Sequence, residues 1–354
     1  MEKLRLQILL ILLLSAPFFI KGSEVKEEQT STETESTKEE INSFIDHHLE
    51  DSYTFTIWHA MGLEFPLPVI LIDDGLHVFS SSKFHHGESV VESKGNFYKL
   101  YHNKIYRSNA EGELKFDENH HPLNEKPLDL SITKNVFSIF LFSLLIFYLF
   151  TKFARSYANN ALPNKLGLFL EPLVLFVRDE IAIPNIGEKH YRKYMGYLLT
   201  IFFFIWIINL AGLTPLGINV TGNIAVTFAL ALMTFLITQF SSKKDYWKHI
   251  FWMPGVPVPM KFILAPIELL GVFIKPFALM IRLYANMTAG HIVIMSLIGL
   301  LYIFQNWFAR GAFLGLTLFL SIIELLVAFL QAYIFTMLTA LYFGGAVAEH
   351  EHHD

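Results

Sequence analysis

Beyond residue 130 the chain settles into long apolar blocks, and charged residues are confined to short intervals between them. The blocks cover residues 136–150, 194–213, 223–240, 261–305 and 314–343. Several windows exceed the roughly 18 apolar residues that suggest a membrane-spanning helix. The last two blocks are longer than a perpendicular span needs, so they are expected to tilt steeply or lie partly along the membrane. Residues 166–183 follow another pattern, in which apolar positions alternate with Glu171, Arg178, Asp179 and Glu180. That pattern predicts an amphipathic helix on the membrane surface, ended by Pro184 and Gly187. The stretch MPGVPVP at 253–259 predicts a stiff, broken connector, because proline has no backbone donor. A turn over 305–311 is expected to join the last two blocks.

The front of the chain is patterned differently. Residues 1–22 join Lys3 and Arg5 to a short apolar core and small residues, which resembles a secretory signal peptide. An uncleaved signal anchor is the other reading, and either would deliver the following segment outside the cytoplasm. Residues 23–52 are rich in Glu, Ser, Thr and Lys, and predict an acidic, disordered, solvated linker. Within 53–128, VILIDDGLHVF reads as two β-prone runs around an Asp-Gly turn, and NFYKLYHNKIYRS as a further strand-like stretch. This region is read as a small β-containing extracytoplasmic unit. His47, His48, His59, His77, His85, His86, His102, His120 and His121 fall in or beside it. They show no recognised metal-ligand spacing, so surface histidines are expected in place of a zinc site or a pH sensor. The predicted fold class is an all-α polytopic membrane protein. It has five transmembrane helices, a surface helix and the β-containing N-terminal region, with residues 129–354 as the membrane domain.

Composition adds direction to this outline. The 354 residues are 53% hydrophobic and include no cysteine, which removes disulfides, thiol catalysis and cysteine-ligated metals. The net charge of −5 hides an asymmetry, with acidic residues at the front and basic ones in short loops. Lys152, Arg155 and Lys165 follow the first span, and Lys243, Lys244 and Lys248 follow the third. Both clusters mark a cytoplasmic side. Five crossings then place the N-terminal region outside an inner (plasma) membrane and the C-terminus in the cytoplasm, with Arg310 a minor exception.

The candidate chemistry lies in the polar residues inside the apolar blocks. Arg282 stands in the middle of PFALMIRLYANMTAGH. An arginine at a helix centre costs about 3 kcal/mol on insertion scales, and it cannot become neutral by losing its proton. Glu268, Lys275 and Arg282 are spaced seven apart, and Asn286 lies four beyond, so the four share one helical stripe. His291 is nine residues past Arg282 and points to the opposite side. On the last helix Glu324 and Gln331 share a face. His291 and Glu324 lie about equally far from the turn, so antiparallel helices would let them meet as a titratable pair. For Asn209, Asn223, Asn286 and Gln331, structural hydrogen bonding within a bundle is an equal reading.

Glu268, His291 and Glu324 can exchange protons and Arg282 cannot. A fixed cation between two proton-accessible regions blocks leakage and lowers the pKa of a carboxylate brought beside it. The sequence offers no intrachain partner for it, which points to a passing subunit. No internal repeat supports a stand-alone proton-coupled transporter or channel, the alternative class. The sequence also contains no metal-hydrolase spacing, nucleophile motif or nucleotide loop to support an enzyme.

IRLYANMTAGH with Pro276 upstream, LQAYIFTMLTALY near the end, NLAGLTP and the stretch around Asn223 closely resemble subunit a of the F-type rotary ATP synthase. The likeness covers about 128–350. It implies a non-catalytic membrane stator with two proton half-channels against a ring of c subunits, with ATP chemistry left to other subunits. Arg282 matches the family's essential arginine, Gln331 the glutamine facing it and Asn286 the neighbouring asparagine. Glu268 matches a cytoplasmic-side exit position, and Asn223 falls near a position lining the extracytoplasmic access path. His291 and Glu324 match a pair on that path, which some members carry with acid and histidine exchanged. The implied partners are the c ring, the subunit b peripheral stalk, the rest of the complex and the lipid bilayer. Neither a cofactor nor nucleic acid is implied. The region 23–128 is outside the likeness.

Overall fold

The computed structural model describes residues 50–58, 63–118, 121–159, 165–214, 218–253, 255–304 and 306–348. The signal segment, nearly all of the acidic linker, His47, His48, His59, His120 and the polar tail lie outside them.

A small β head comes first. Strands β1 (Thr54–Trp58) and β2 (Leu63–Pro66) pair antiparallel. Strands β3 (Pro68–Ile72) and β4 (Leu76–Ser80) form the hairpin expected at the Asp-Gly turn, with Ile72 opposite Leu76. Asp74 and Gly75 carry the positive φ values, 50° and 142°, that this tight connection requires. Strands β5 (Val90–Ser93), β6 (Asn96–Tyr101) and β7 (Lys104–Ser108) form an antiparallel meander. The stretch 96–108 is therefore two strands and not one. His102 and Asn103 take φ of 44° and 51° and turn the chain without a glycine. Strand β8 (Leu128–Asp129) pairs with β3 and leads into the first helix.

Val69, Leu71, Phe79, Phe84, Val91, Tyr98 and Ile105 build the core of the head. Among the described residues His77 departs from the expected surface histidines. It is buried, its Nδ1 3.0 Å from Ser93 Oγ and its Nε2 2.7 Å from the Asp73 carbonyl, with an edge-to-face contact on Tyr98.

Among the described residues beyond the head, eight α-helices follow. They are α1 (Lys134–Asn159), α2 (Lys165–Phe176), α3 (Ile183–Ile186), α4 (Tyr191–Gly212), α5 (Ile224–Ser241), α6 (Lys244–Phe251), α7 (Val258–Ile303) and α8 (Trp307–Val347). Among the described residues five of them, α1, α4, α5, α7 and α8, are long and apolar enough to cross a membrane. The expected amphipathic helix does not end at Pro184. A π-helical stretch, Val177–Ala182, links α2 to α3, and the Ile183 N–H reaches back to the Arg178 carbonyl. Widening the ladder there accommodates a proline that has no N–H of its own. The stop comes at Gly187, whose φ of 86° suits a helix C-terminus. The predicted turn over 305–311 is also shorter, because Asn306 caps α8 by accepting from the Phe308 N–H at 3.0 Å.

Helix α4 is the hub. Leu198, Ile201, Phe202 and Phe203 are buried against Val177, Ile181, Leu279, Leu283, Phe335 and Phe343 in one apolar cluster. In a bilayer such packing depends on close van der Waals fit, which small residues permit. Along α8, Ala328, Ala332, Thr336, Ala340 and Gly344 are all buried and recur every fourth residue, so they form one face. Opposite faces of α7 and α8 stay bare. Ile263, Ile274, Phe277 and Ile281 on α7, and Leu318, Ile322 and Leu326 on α8, are largely exposed.

Candidate functional site

Arg282 sits on the bare face of α7 and is exposed, as is Lys275 one heptad earlier. Ile274, Phe277 and Ile281 beside it are each more than half exposed, so the guanidinium interrupts an apolar surface. Among the described residues no carboxylate forms an ion pair with it. The Tyr342 phenol on α8 lies within range of its charge, and Lys275 Nζ stands 5.7 Å from the same ring. One turn beyond Arg282, Asn286 Nδ2 donates to Gln331 Oε1 at 3.0 Å, joining α7 to α8. Gln331 is only 4% exposed, so this bond satisfies an amide that burial would otherwise penalise.

Toward the β head a second polar group lies inside the bundle. His291 is 8% exposed and its Nε2 has no hydrogen-bond partner among the described residues. A Cβ on Gly212 would lie 3.2 Å from that Nε2 and 2.9 Å from the Ile218 carbonyl oxygen. The missing side chain at the end of α4 is thus what admits the imidazole and the 218–223 loop to the same place. Thr221 Oγ1 donates to Asn209 Oδ1 at 2.7 Å, and both residues are fully buried. Asn223 caps α5, accepting from the Ala225 N–H at 2.9 Å.

Glu324 is half-buried and its carboxylate rests on the α7 backbone, where a Cβ on Gly290 would come within 2.3 Å of Oε1. His291 and Glu324 are therefore neighbours across the α7–α8 contact, but no hydrogen bond or ion pair joins them. Consecutive helical residues point about 100° apart, so the carboxylate nests at Gly290 while the imidazole turns toward α4.

Away from the head, a cavity of about 320 Å³ opens between α5, α6, α7 and α8. Asn185, Thr234, Thr238, Gln239, Tyr246, Lys275 and Tyr342 supply its polar lining. Glu268, half-buried and one heptad further along α7, does not line it. The threonines were missed as site residues in the sequence, although their four-residue spacing on α5 places them on one face. Along α7 the order is thus Lys275 at one polar region, Arg282, then His291 at the other. At 1.5 Å per residue Arg282 lies about 10 Å from the first and about 14 Å from the second. A permanent charge stands between two groups of exchangeable polar atoms.

The family model described as ATP synthase A chain matches residues 136–344, more than half of the chain. A second family model, described only as a domain of unknown function, matches 44–130. Among curated relatives, ATP synthase subunit a of an Anaeromyxobacter species is 37% identical over 325 residues, covering 89% of this chain and 73% of its own. ATP synthase subunit a 2 of Chlorobaculum tepidum is 44% identical, over 68% of this chain and 70% of its own. The Myxococcus xanthus subunit a is 43% identical, over 64% of this chain and 76% of its own.

Proposed function

This chain belongs to the ATP synthase A chain family and is a multi-pass membrane protein; from that premise we propose that it is the proton-translocating stator of a rotary ATP synthase. It faces the ring of c subunits with the bare surfaces of α7 and α8. The subunit b stalk and the rest of the complex hold it against the torque. The observation that carries this reading is Arg282, a charge that cannot be neutralised, standing exposed within an apolar face and without an ion-pair partner among the described residues. A ring carboxylate passing that face is the partner of matching charge.

In this mechanism protons reach the ring from the head side through the region of His291, Glu324, Asn209 and Thr221. Asn223 is at its rim. They leave on the other side through the cavity beside Lys275, with Glu268 further along the exit. Arg282 sits on neither path. It keeps an arriving carboxylate ionised, so that a proton is released before the rotor passes and is taken up only afterwards. Asn286 and Gln331 hold α7 and α8 in register beside it. The chain itself carries out no ATP chemistry. Each charge moved across 100 mV supplies about 2.3 kcal/mol, and the rotor delivers the sum of several to the catalytic subunits.

The head lies outside the cytoplasm, and the Lys152–Lys165 and Lys243–Lys248 loops lie inside it, with α2 and α3 along that surface. Helices α7 and α8, about 69 and 62 Å long at 1.5 Å per residue, exceed a hydrocarbon core of about 30 Å and incline steeply. The test is Arg282→Ala in the assembled complex. Proton-driven ATP synthesis is expected to vanish while ATP hydrolysis by the detached catalytic sector persists; retained coupled synthesis overturns the assignment.

A further inference from the structure

The β head grips the membrane helices at one particular place. Phe55 and Leu67, 6% and 1% exposed, form one apolar cluster with Ile208 and Ala211 of α4 and with Ile218 and Val220 of the following loop. Phe137 at the start of α1 joins it, its ring centroid 5.1 Å from that of Phe55 in an edge-to-face contact. The head is also tied to α1 by polar bonds. Asn135 N donates to Asp51 Oδ1 at 3.0 Å, and Lys134 N donates to the Ser52 carbonyl at 2.8 Å.

The loop between these partners has two faces. Ile218 and Val220 enter the apolar cluster under the head. Thr221 bonds Asn209 inside the bundle, and the Ile218 carbonyl converges with His291 Nε2 on Gly212. Whatever fixes Ile218 and Val220 therefore also fixes the polar roof above His291. Within the loop itself, Asn223 N donates to the Val220 carbonyl at 3.2 Å.

We propose that the β head is a clamp, in which Phe55 and Leu67 press the 218–221 loop onto the His291 region and so set how freely water and ions enter from that side. Phe55 and Leu67 are positioning residues and touch no transported ion. The consequence for proton access rests on the function proposed above, whereas the clamp itself is a statement about packing and is tested without turnover.

The chain contains no cysteine, so a single introduced thiol is its only one. Thr221→Cys reports on the clamped roof, and Thr238→Cys, in the cavity at the other end of the bundle, is the control. Each is placed in the detergent-solubilised complex and labelled with a charged maleimide. Adding Phe55→Ala is expected to speed labelling of Thr221→Cys by about tenfold or more, because losing an aromatic core anchor favours local opening. Labelling of Thr238→Cys stays constant, and Phe55→Leu, which keeps apolar bulk, restores the slow rate. An unchanged rate at Thr221→Cys overturns the clamp. So does an equal rise at both reporters, or a Phe55→Leu rate matching Phe55→Ala. Failure of the stator reading appears separately, as coupled synthesis surviving Arg282→Ala.

Discussion

Gly290 is where one atom more would disturb the site most directly. A Cβ there would lie 2.3 Å from Glu324 Oε1, inside any real contact distance, so the carboxylate has to move. Gly290→Ala is accordingly predicted to lower ATP-driven proton pumping in inverted vesicles by about tenfold, an effect of about 1.4 kcal/mol on the rate-limiting step. Glu324→Asp on that background withdraws the carboxylate by one methylene and should recover part of the rate. Pumping by Gly290→Ala at the parental rate would show that Glu324 does not work from its place on the α7 backbone. The spacing of Arg282, Asn286 and His291 made their faces legible in the sequence, because helical geometry alone decides them. The seats of Glu324 and His291 were not legible. Each depends on a glycine, Gly290 or Gly212, meeting another element, and tertiary packing chooses that meeting. The Asn209–Thr221 bond was hidden for the same reason, since its partners flank a turn whose shape the pattern does not give.

At the scale of elements, the approach of α8 to α3 hangs on Gly344. A Cβ on Gly344 would fall 1.9 Å from the Asn185 carbonyl oxygen, which is backbone and cannot swing aside, whereas a Cβ on Gly345 meets nothing within 4 Å. Gly344→Ala is predicted to destabilise the subunit by about 1–3 kcal/mol, the usual range for overpacking. Gly345→Ala should be neutral or slightly stabilising, by helix propensity. Thermal unfolding of the purified complex compares them, and equal midpoints would show that the α3–α8 contact is not tight. The spans themselves could be read because apolar length is a direct physical requirement of the bilayer. What escaped the pattern was chain-level detail. The π-helical stretch before Pro184 arises from a local clash, and the His102–Asn103 turn from two residues in left-handed conformations without a glycine to announce them. Asn306 caps the next helix, and Asn306→Ala is expected to cost the start of α8 about 1 kcal/mol.

Over the whole molecule, an aqueous β unit and a lipid-embedded bundle meet at the start of α1, and the joint includes a half-buried acid, Asp51. Burial pushes the Asp51 carboxyl above its usual range, and the bond from the Asn135 N–H offsets this only in part. The sign follows from linkage. A carboxyl whose folded pKa exceeds its unfolded value of 3.8 binds its proton more tightly in the folded state. Its stabilising contribution is complete below that value and is lost as pH rises through the folded pKa. At neutral pH the ionisation of Asp51 therefore costs the joint stability, while its oxygen receives the first turn of α1. Asp51→Asn preserves an oxygen acceptor for Asn135 and removes the charge. It is predicted to raise the unfolding midpoint of the purified complex at pH 7 to 8, with the advantage shrinking as pH falls toward about 4. A substitution that lowers the midpoint at neutral pH would mean that the charge itself holds the head, through the positive end of the α1 dipole. An advantage that does not depend on pH would place the effect outside the carboxyl's ionisation.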